Sequence, residues 1–368
     1  MGGVRIALDA RALEAERTGV GRYLEGLLGA WLDLFPEDAF VCLSPREVVV
    51  PAALEGRLEV VRGGRGLPGT VWLQTAAPLA AASAGADVFF GPLGILPLLA
   101  RLPAVVTVHD LTPLLFPEWH TLRNRLAFNA LIGPSVRVAR AVFCVSEATR
   151  RDLLLRFPEA GPKARVVPNG LVPRATRETR PPGAPPNDGR PYVLFLGTRE
   201  PRKNLDRLLA AMESLWRADP TFPDLVVAGG RGWGLDGLPE RVGRSPHRER
   251  IRLLGWVAPD EADRLLRGAR ALAYPSLYEG VGLPPLEAMA AGTVVVASSS
   301  SSLPEVVGDG GLLPDPLSVE SIAAALAKAC LDEAFRRGEI ERGGERSRRF
   351  TWKRAVEAMR PAFEEAAA

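Results

Sequence analysis

Short apolar runs rich in β-branched residues alternate with longer stretches of helical periodicity along nearly the whole chain. That alternation constrains the fold more than any other feature. Strand–helix–strand units bury their apolar faces as parallel sheets covered by helices, an α/β architecture. In the first half, strands are predicted at residues 4–10, 40–44, 87–90, 104–109, 141–146 and 164–168, and helices at 21–34, 122–138 and 147–156. A proline-rich stretch, residues 173–191, carries no core-forming pattern and is predicted to be a linker. Beyond it the alternation restarts, with strands at 192–197, 225–229, 251–256, 271–275 and 294–297 and helices at 205–217, 259–268, 285–291 and 318–331. An Arg-rich connection leads to a final helix, residues 352–367, expected to pack back on the first domain. At 368 residues the chain exceeds one ordinary core. The expected organisation is two doubly wound domains, residues 1–172 and 192–345, with a hinge at 173–191 and a C-terminal segment at 346–368. Ligands of such sheets bind beyond the carboxyl ends of the strands, which puts the expected site in a cleft between the domains.

Composition removes several function classes. Lys+Arg 46 nearly balance Asp+Glu 43, so no nucleic-acid partner is expected. Three cysteines, Cys42, Cys144 and Cys330, are too widely spaced for a disulfide framework or a zinc site and fit a reducing cytoplasm. Three histidines, His109, His120 and His247, leave little material for a metal site. The chain enters a strand-like run at Val4 with no signal-peptide pattern, and its most apolar stretch, residues 76–108, is broken by Asp87, Arg101 and prolines. A cytoplasmic location is expected.

The segment with the most chemistry runs from Tyr274 to Thr293. A strand ends near Pro275, a loop follows with Glu279, Gly280, Val281 and Gly282, and Leu283, Pro284 and Pro285 lead into a helix carrying Glu287 in its expected first turn. The glycines let backbone amides approach a ligand, and the helix N-terminus favours an anion such as a diphosphate. Two carboxylates could then hold sugar hydroxyls and a ribose. The plainer alternative is that Glu287 complements the helix dipole and Glu279 is a solvated loop residue.

This segment resembles the Glu-x7-Glu motif of retaining glycosyltransferases with the GT-B fold, whose two domains are Rossmann-like, and most closely glycosyltransferase family 4. The usual family phrase has Phe where Val281 stands. The resemblance extends over nearly the whole chain. Residues 17–23, with Gly19 and Gly21, are similar to the family's glycine loop before the first helix; as a dinucleotide fingerprint they fail, because Leu24 stands at the third glycine position. Residues 106–113 resemble the strand that delivers the family's His-Asp pair. The resemblance implies that His109 lies beside the donor sugar and stabilises developing oxocarbenium charge, and that Asp110 orients the loop or the acceptor. Trp119, in the adjoining loop, is placed on the acceptor side. Residues 196–205 resemble the family's phosphate site, with Lys203 on the diphosphate; Thr198 stands where many relatives have arginine, so Arg202 or Arg199 is expected as the second cation. A basic cap before a surface helix, with Asn204 as N-cap, is the plainer reading there. Gly229, Trp256 and Val257 belong to loops similar to those that edge the base pocket. The serine run from Ser298 matches the family's closing segment, with Glu305 read as structural.

No Asp-x-Asp sequence occurs in the chain, so no metal is expected at the donor. Lys203, an arginine and helix amides would then neutralise the leaving diphosphate, and no enzymatic nucleophile is named. No cofactor is expected beyond the nucleotide-sugar co-substrate. Further phrases resemble bacterial mannosyltransferases of surface-polysaccharide assembly, which makes GDP-mannose the first expected donor and UDP-sugars the second, with a glycan, lipid-linked or small-molecule acceptor. Four arginines among apolar residues at 123–140 suggest either peripheral contact with anionic lipid or a solvated helix face. A GT-B nucleotide-sugar epimerase and a non-catalytic sugar-nucleotide sensor are the alternatives; a phosphorylase would need a pyridoxal lysine and a longer chain.

Overall fold

The computed structural model describes residues 2–14, 19–171, 189–232 and 237–368. The predicted hinge up to residue 188, Arg17, Thr18 and residues 233–234 lie outside the described residues. Contacts divide the chain into two units: Met1–Pro117, Leu122–Val172 and Phe350–Ala368 form the first, and Glu118–Thr121 with Pro173–Arg349 the second.

The first unit contains, in chain order, β1 (Arg5–Asp9), α1 (Gly19–Leu34), β2 (Ala39–Ser44), β3 (Glu59–Arg62), α2 (Gly69–Ser83), β4 (Val88–Gly91), β5 (Ala104–Val108), α3 (Thr112–Leu115), α4 (Leu122–Val138), β6 (Ala141–Cys144), α5 (Glu147–Arg156) and β7 (Ala164–Val166). Its strands are parallel in the order β3-β2-β1-β4-β5-β6-β7. Every residue of β4, β5 and β6 is buried, as helices on both faces require, and this is why these strands read as unbroken apolar runs. Three elements of this unit were absent from the sequence expectation: the one-turn helix α3, the edge strand β3 and helix α2. The edge strand β3 has exposed ends and two half-buried valines, too little apolar signal to announce itself. Helix α2 carries Pro78 in its interior, which reads as a breaker.

The second unit holds β8 (Tyr192–Leu196), α6 (Leu205–Ala218), β9 (Asp224–Ala228), α7 (Leu238–Arg244), β10 (Ile251–Gly255), α8 (Pro259–Gly268), β11 (Ala271–Tyr274), α9 (Leu283–Ala290), β12 (Val294–Ala297), α10 (Leu303–Val307), α11 (Val319–Leu331) and α12 (Glu333–Ser347). The parallel strand order is β10-β9-β8-β11-β12. The expected Arg-rich connection is corrected here, because most of it is helix α12. Asp332 caps that helix by accepting from Phe335 N at 2.9 Å. Its packing face is built on glycine rather than on large apolar residues: a Cβ at Gly343 would come within 3.2 Å of Met289 Cγ on α9. Periodicity of apolar residues does not register such a face.

The last helix, α13 (Trp352–Ala367), belongs to the first unit. Trp352, Val356, Met359 and Phe363 are buried in one cluster with Trp31, Phe40, Phe90 and Phe143. Phe363 meets Trp31 and Phe90 edge-on, with centroids 5.0 and 5.3 Å apart. Gly26 of α1 allows the close approach, since a Cβ there would overlap the Trp352 indole. Among the described residues, no helix is long and apolar enough to cross a membrane.

Candidate active site

In the second sheet β8 is the first strand in sequence, yet it lies in the middle. The chain fills one side with β9 and β10, then crosses to the other with β11 and β12. Connections leaving β8 and β11 therefore diverge, and the gap between their carboxyl ends is where an open α/β sheet binds ligands. Of the residues predicted for the phosphate and sugar, Arg202, Lys203 and Glu279 converge there.

Lys203 lies in the short turn Pro201–Lys203 after β8, and Glu279 in the loop after β11. Lys203 Nζ donates to Glu279 Oε1 at 2.6 Å and to the Tyr274 hydroxyl at 2.6 Å. Arg202 Nη1 donates to Glu279 Oε2 at 2.7 Å, while its Nε donates to Glu200 Oε2 at 2.7 Å. Lys203 is 5% exposed and Glu279 6%, so the picture of Glu279 as a solvated loop residue is wrong. Burial alone would raise the Glu279 carboxyl; the Arg202 and Lys203 charges outweigh it and hold it at about 2. Burial lowers the Lys203 ammonium despite its carboxylate partner. It also raises the Glu200 carboxyl, against the pull of Arg202. Neither Tyr274 nor Glu200 was singled out from sequence. The available hints were only that Tyr274 ends a strand and Glu200 is two residues from Arg202.

The surrounding loops are fixed by side chain–backbone bonds. Asn204 adopts a left-handed backbone (φ 61°) and does not cap α6 with its side chain, contrary to the simpler expectation. Its amide instead donates to the carbonyls of Pro275 (3.0 Å) and Pro316 (2.7 Å), tying the lysine turn to the loop after β11. The serine run also acts on that loop. Ser302 Oγ donates to the Glu279 carbonyl at 2.9 Å, Ser301 Oγ donates to the same carbonyl, and Ser300 Oγ reaches the Leu277 carbonyl at 3.0 Å. Gly282 (φ 88°) makes the turn into α9, where a Cβ would come within 2.5 Å of Leu303 Cδ2. Helix α9 begins at Leu283, with Pro284 and Pro285 in its first turn. Glu287 is therefore two residues further in than expected, beyond the first turn, and it is buried.

Of the base-pocket residues, Gly229 bonds from its N–H to the Gly255 carbonyl at 2.6 Å at the ends of β9 and β10. Trp256 beside them is 57% exposed and Val257 half-buried. A Cβ at Gly229 would overlap Gly197, so the chain ends of β8 and β9 can lie this close only with glycine.

In the first unit, His109 follows β5. Its Nε2 lies 2.9 Å from the Pro92 carbonyl, which can only accept, so Nε2 carries the hydrogen. Burial lowers its basicity, more than the Pro92 carbonyl and Asp110 restore. The neutral ring thus keeps its Nδ1 lone pair. Asp110 Oδ1 accepts from Thr112 N (3.0 Å) and Thr112 Oγ1 (2.6 Å), which makes it an orienter of the loop entering α3. Tyr23 of α1 stands edge-on to His109 at 4.8 Å and was missed by sequence reasoning. Gly19 and Gly21 lie within the start of α1, not in a loop before it. Trp119 sits in the short turn Pro117–Trp119 and is grouped with the second unit.

Two parallel, doubly wound sheets with a cationic pair at the switch point of the second define the class of GT-B glycosyltransferases. The comparisons agree: residues 18–174 match Glycosyltransferase Family 4 and residues 176–346 match Glycosyl transferases group 1. The chain is 35% identical over 273 residues to O-antigen chain mannosyltransferase B of Escherichia coli, spanning 72% of this chain and 71% of that protein. It is 28% identical to the MMP alpha-(1->4)-mannosyltransferase of Mycolicibacterium hassiacum, spanning 92% and 85%. An Anabaena protein solved with UDP and glucose shares the fold, with TM-score 0.72, 19% identity and coverage of 98% and 99%. The chain belongs to glycosyltransferase family 4 and is a hexosyltransferase.

Proposed function

We propose that this chain is a retaining mannosyltransferase that uses GDP-mannose, with UDP-sugars as the second choice, and passes the sugar to a glycan or lipid-linked acceptor without a metal ion. The observation that carries the reading is the pair of half-buried Arg202 and buried Lys203 around buried Glu279 at the β8–β11 switch point. Mannosyl transfer by the relatives named above supports the choice of sugar. Departure of the diphosphate places negative charge on its oxygens. Arg202, Lys203 and the N-terminus of α9 are groups that favour that charge. Metal independence rests on the missing Asp-x-Asp sequence. His109, neutral and oriented by Pro92, would face developing positive charge on the sugar, and Glu279 and Glu287 would hold sugar and ribose hydroxyls. Attack from the face that the diphosphate leaves would retain configuration, with a diphosphate oxygen taking the acceptor proton.

A lipid-linked acceptor implies work at the inner face of a membrane. Helix α4 supports this with Leu122 and Leu126, 61% and 59% exposed, beside exposed Arg123. The deciding experiment incubates GDP-, UDP-, ADP- and dTDP-sugars with acceptor pools in the presence of EDTA. Acceptor-dependent release of GDP from GDP-mannose and an α-linked product are expected. Nucleotide binding without turnover, or an inverted product, would reject the proposal.

A further inference from the structure

Arg202 and Lys203 are neutralised by Glu200 and Glu279 with no ligand needed. Each Glu279 oxygen is held by a different cation, at 2.6 and 2.7 Å. A diphosphate arriving at this edge would meet a cluster whose charges already cancel. It gains from the two cations only if they release Glu279. Phosphate and carboxylate oxygens accept from guanidinium and ammonium groups in the same way, so one can replace the other bond for bond. The cations themselves have second anchors: Glu200 holds Arg202 Nε, and the Tyr274 hydroxyl holds Lys203 Nζ, with the ammonium 4.8 Å from the centre of the Tyr274 ring.

We infer that Glu279 is a built-in counter-ion that stands in for the donor diphosphate and is exchanged for it on binding, while Glu200 and Tyr274 are positioning residues that keep the two cations in place. This rests on the nucleotide-sugar reading above. It adds a consequence for the order of events. A complete donor brings sugar hydroxyls that satisfy the released carboxylate, whereas a bare nucleoside diphosphate leaves it buried without its partners. Glu279 therefore disfavours the spent nucleotide relative to the donor and assists product release.

Calorimetric titration of GDP, UDP and the corresponding nucleosides tests this, at fixed ionic strength, with the full chain. Glu279→Gln should bind the preferred nucleoside diphosphate about fivefold to tenfold more tightly than the parent, with nucleoside binding unchanged. Equal or weaker binding of the diphosphate would overturn the exchange. A parent chain that binds no nucleotide or nucleotide sugar would instead defeat the donor reading itself, and the inference with it. Should Glu279→Gln fail to fold, Tyr274→Phe keeps the ring and the ion pair but removes the second anchor of Lys203. Nucleoside diphosphate affinity should then fall about fivefold while nucleoside affinity holds; loss of neither, or equal loss of both, would contradict the positioning role.

Discussion

Glu279 and Glu287 stand in one loop–helix segment, and Glu279 lies between two cations, Arg202 and Lys203. Different losses follow when each is truncated. Glu279→Ala should lower sugar transfer by about 10²-fold without weakening bare nucleotide. Glu287→Ala should weaken both, and parent transfer rates in both variants would refute the site. The ion pairs also set an acid response. Glu279 is depressed from its ordinary 4.5 to about 2 in the folded chain, so the unfolded chain takes up its proton first as pH falls. Its stabilisation is complete above about 4.5 and is lost progressively as pH falls toward 2. Denaturation midpoints of the parent should fall across that window, and Glu279→Gln should flatten this part of the curve. A variant with the parent's slope would show that other carboxylates carry the acid limb.

At the scale of elements, the loop between β11 and α9 is shaped from outside itself. Its sequence announces a glycine turn and a proline-opened helix, but its carbonyls are held by Ser300, Ser301 and Ser302 beyond β12. Ser302→Ala leaves the Glu279 carbonyl with one fewer donor and should destabilise by about 1 kcal/mol, read as a lower denaturation midpoint. Gly282→Ala is the more severe change. The new Cβ would meet Leu303 Cδ2 at 2.5 Å on a backbone with φ 88°, a cost of about 1–3 kcal/mol. A midpoint equal to the parent's would show that α9 starts by a different turn.

For the whole molecule, the last helix belongs to the core of the first unit, although residue 349 still lies in the second. Phe363 is fully buried against Trp31 and Phe90, so Phe363→Ala should cost about 3–5 kcal/mol and truncation before Trp352 should prevent folding of that unit. A truncated chain with parent-like near-ultraviolet circular dichroism would contradict this. What the residues determined unaided was local and periodic: two runs of parallel strands, because strands buried on both faces must be nearly all apolar, and a glycine–proline loop into a helix, because backbone conformation admits few alternatives. Among the elements that escaped, the short helices α3, α7 and α10 aside, the signal is weak for a physical reason: β3 is short and exposed at its ends, α2 contains proline, and α12 packs on glycine. Tertiary structure alone decided the charges of the Glu279 segment. Glu279 looked like one acid of a pair bound to sugar and ribose, but its first partners are Arg202 and Lys203, some 76 residues away along the chain. No local pattern encodes that meeting; it follows from β8 and β11 lying side by side at the point where the strand order reverses.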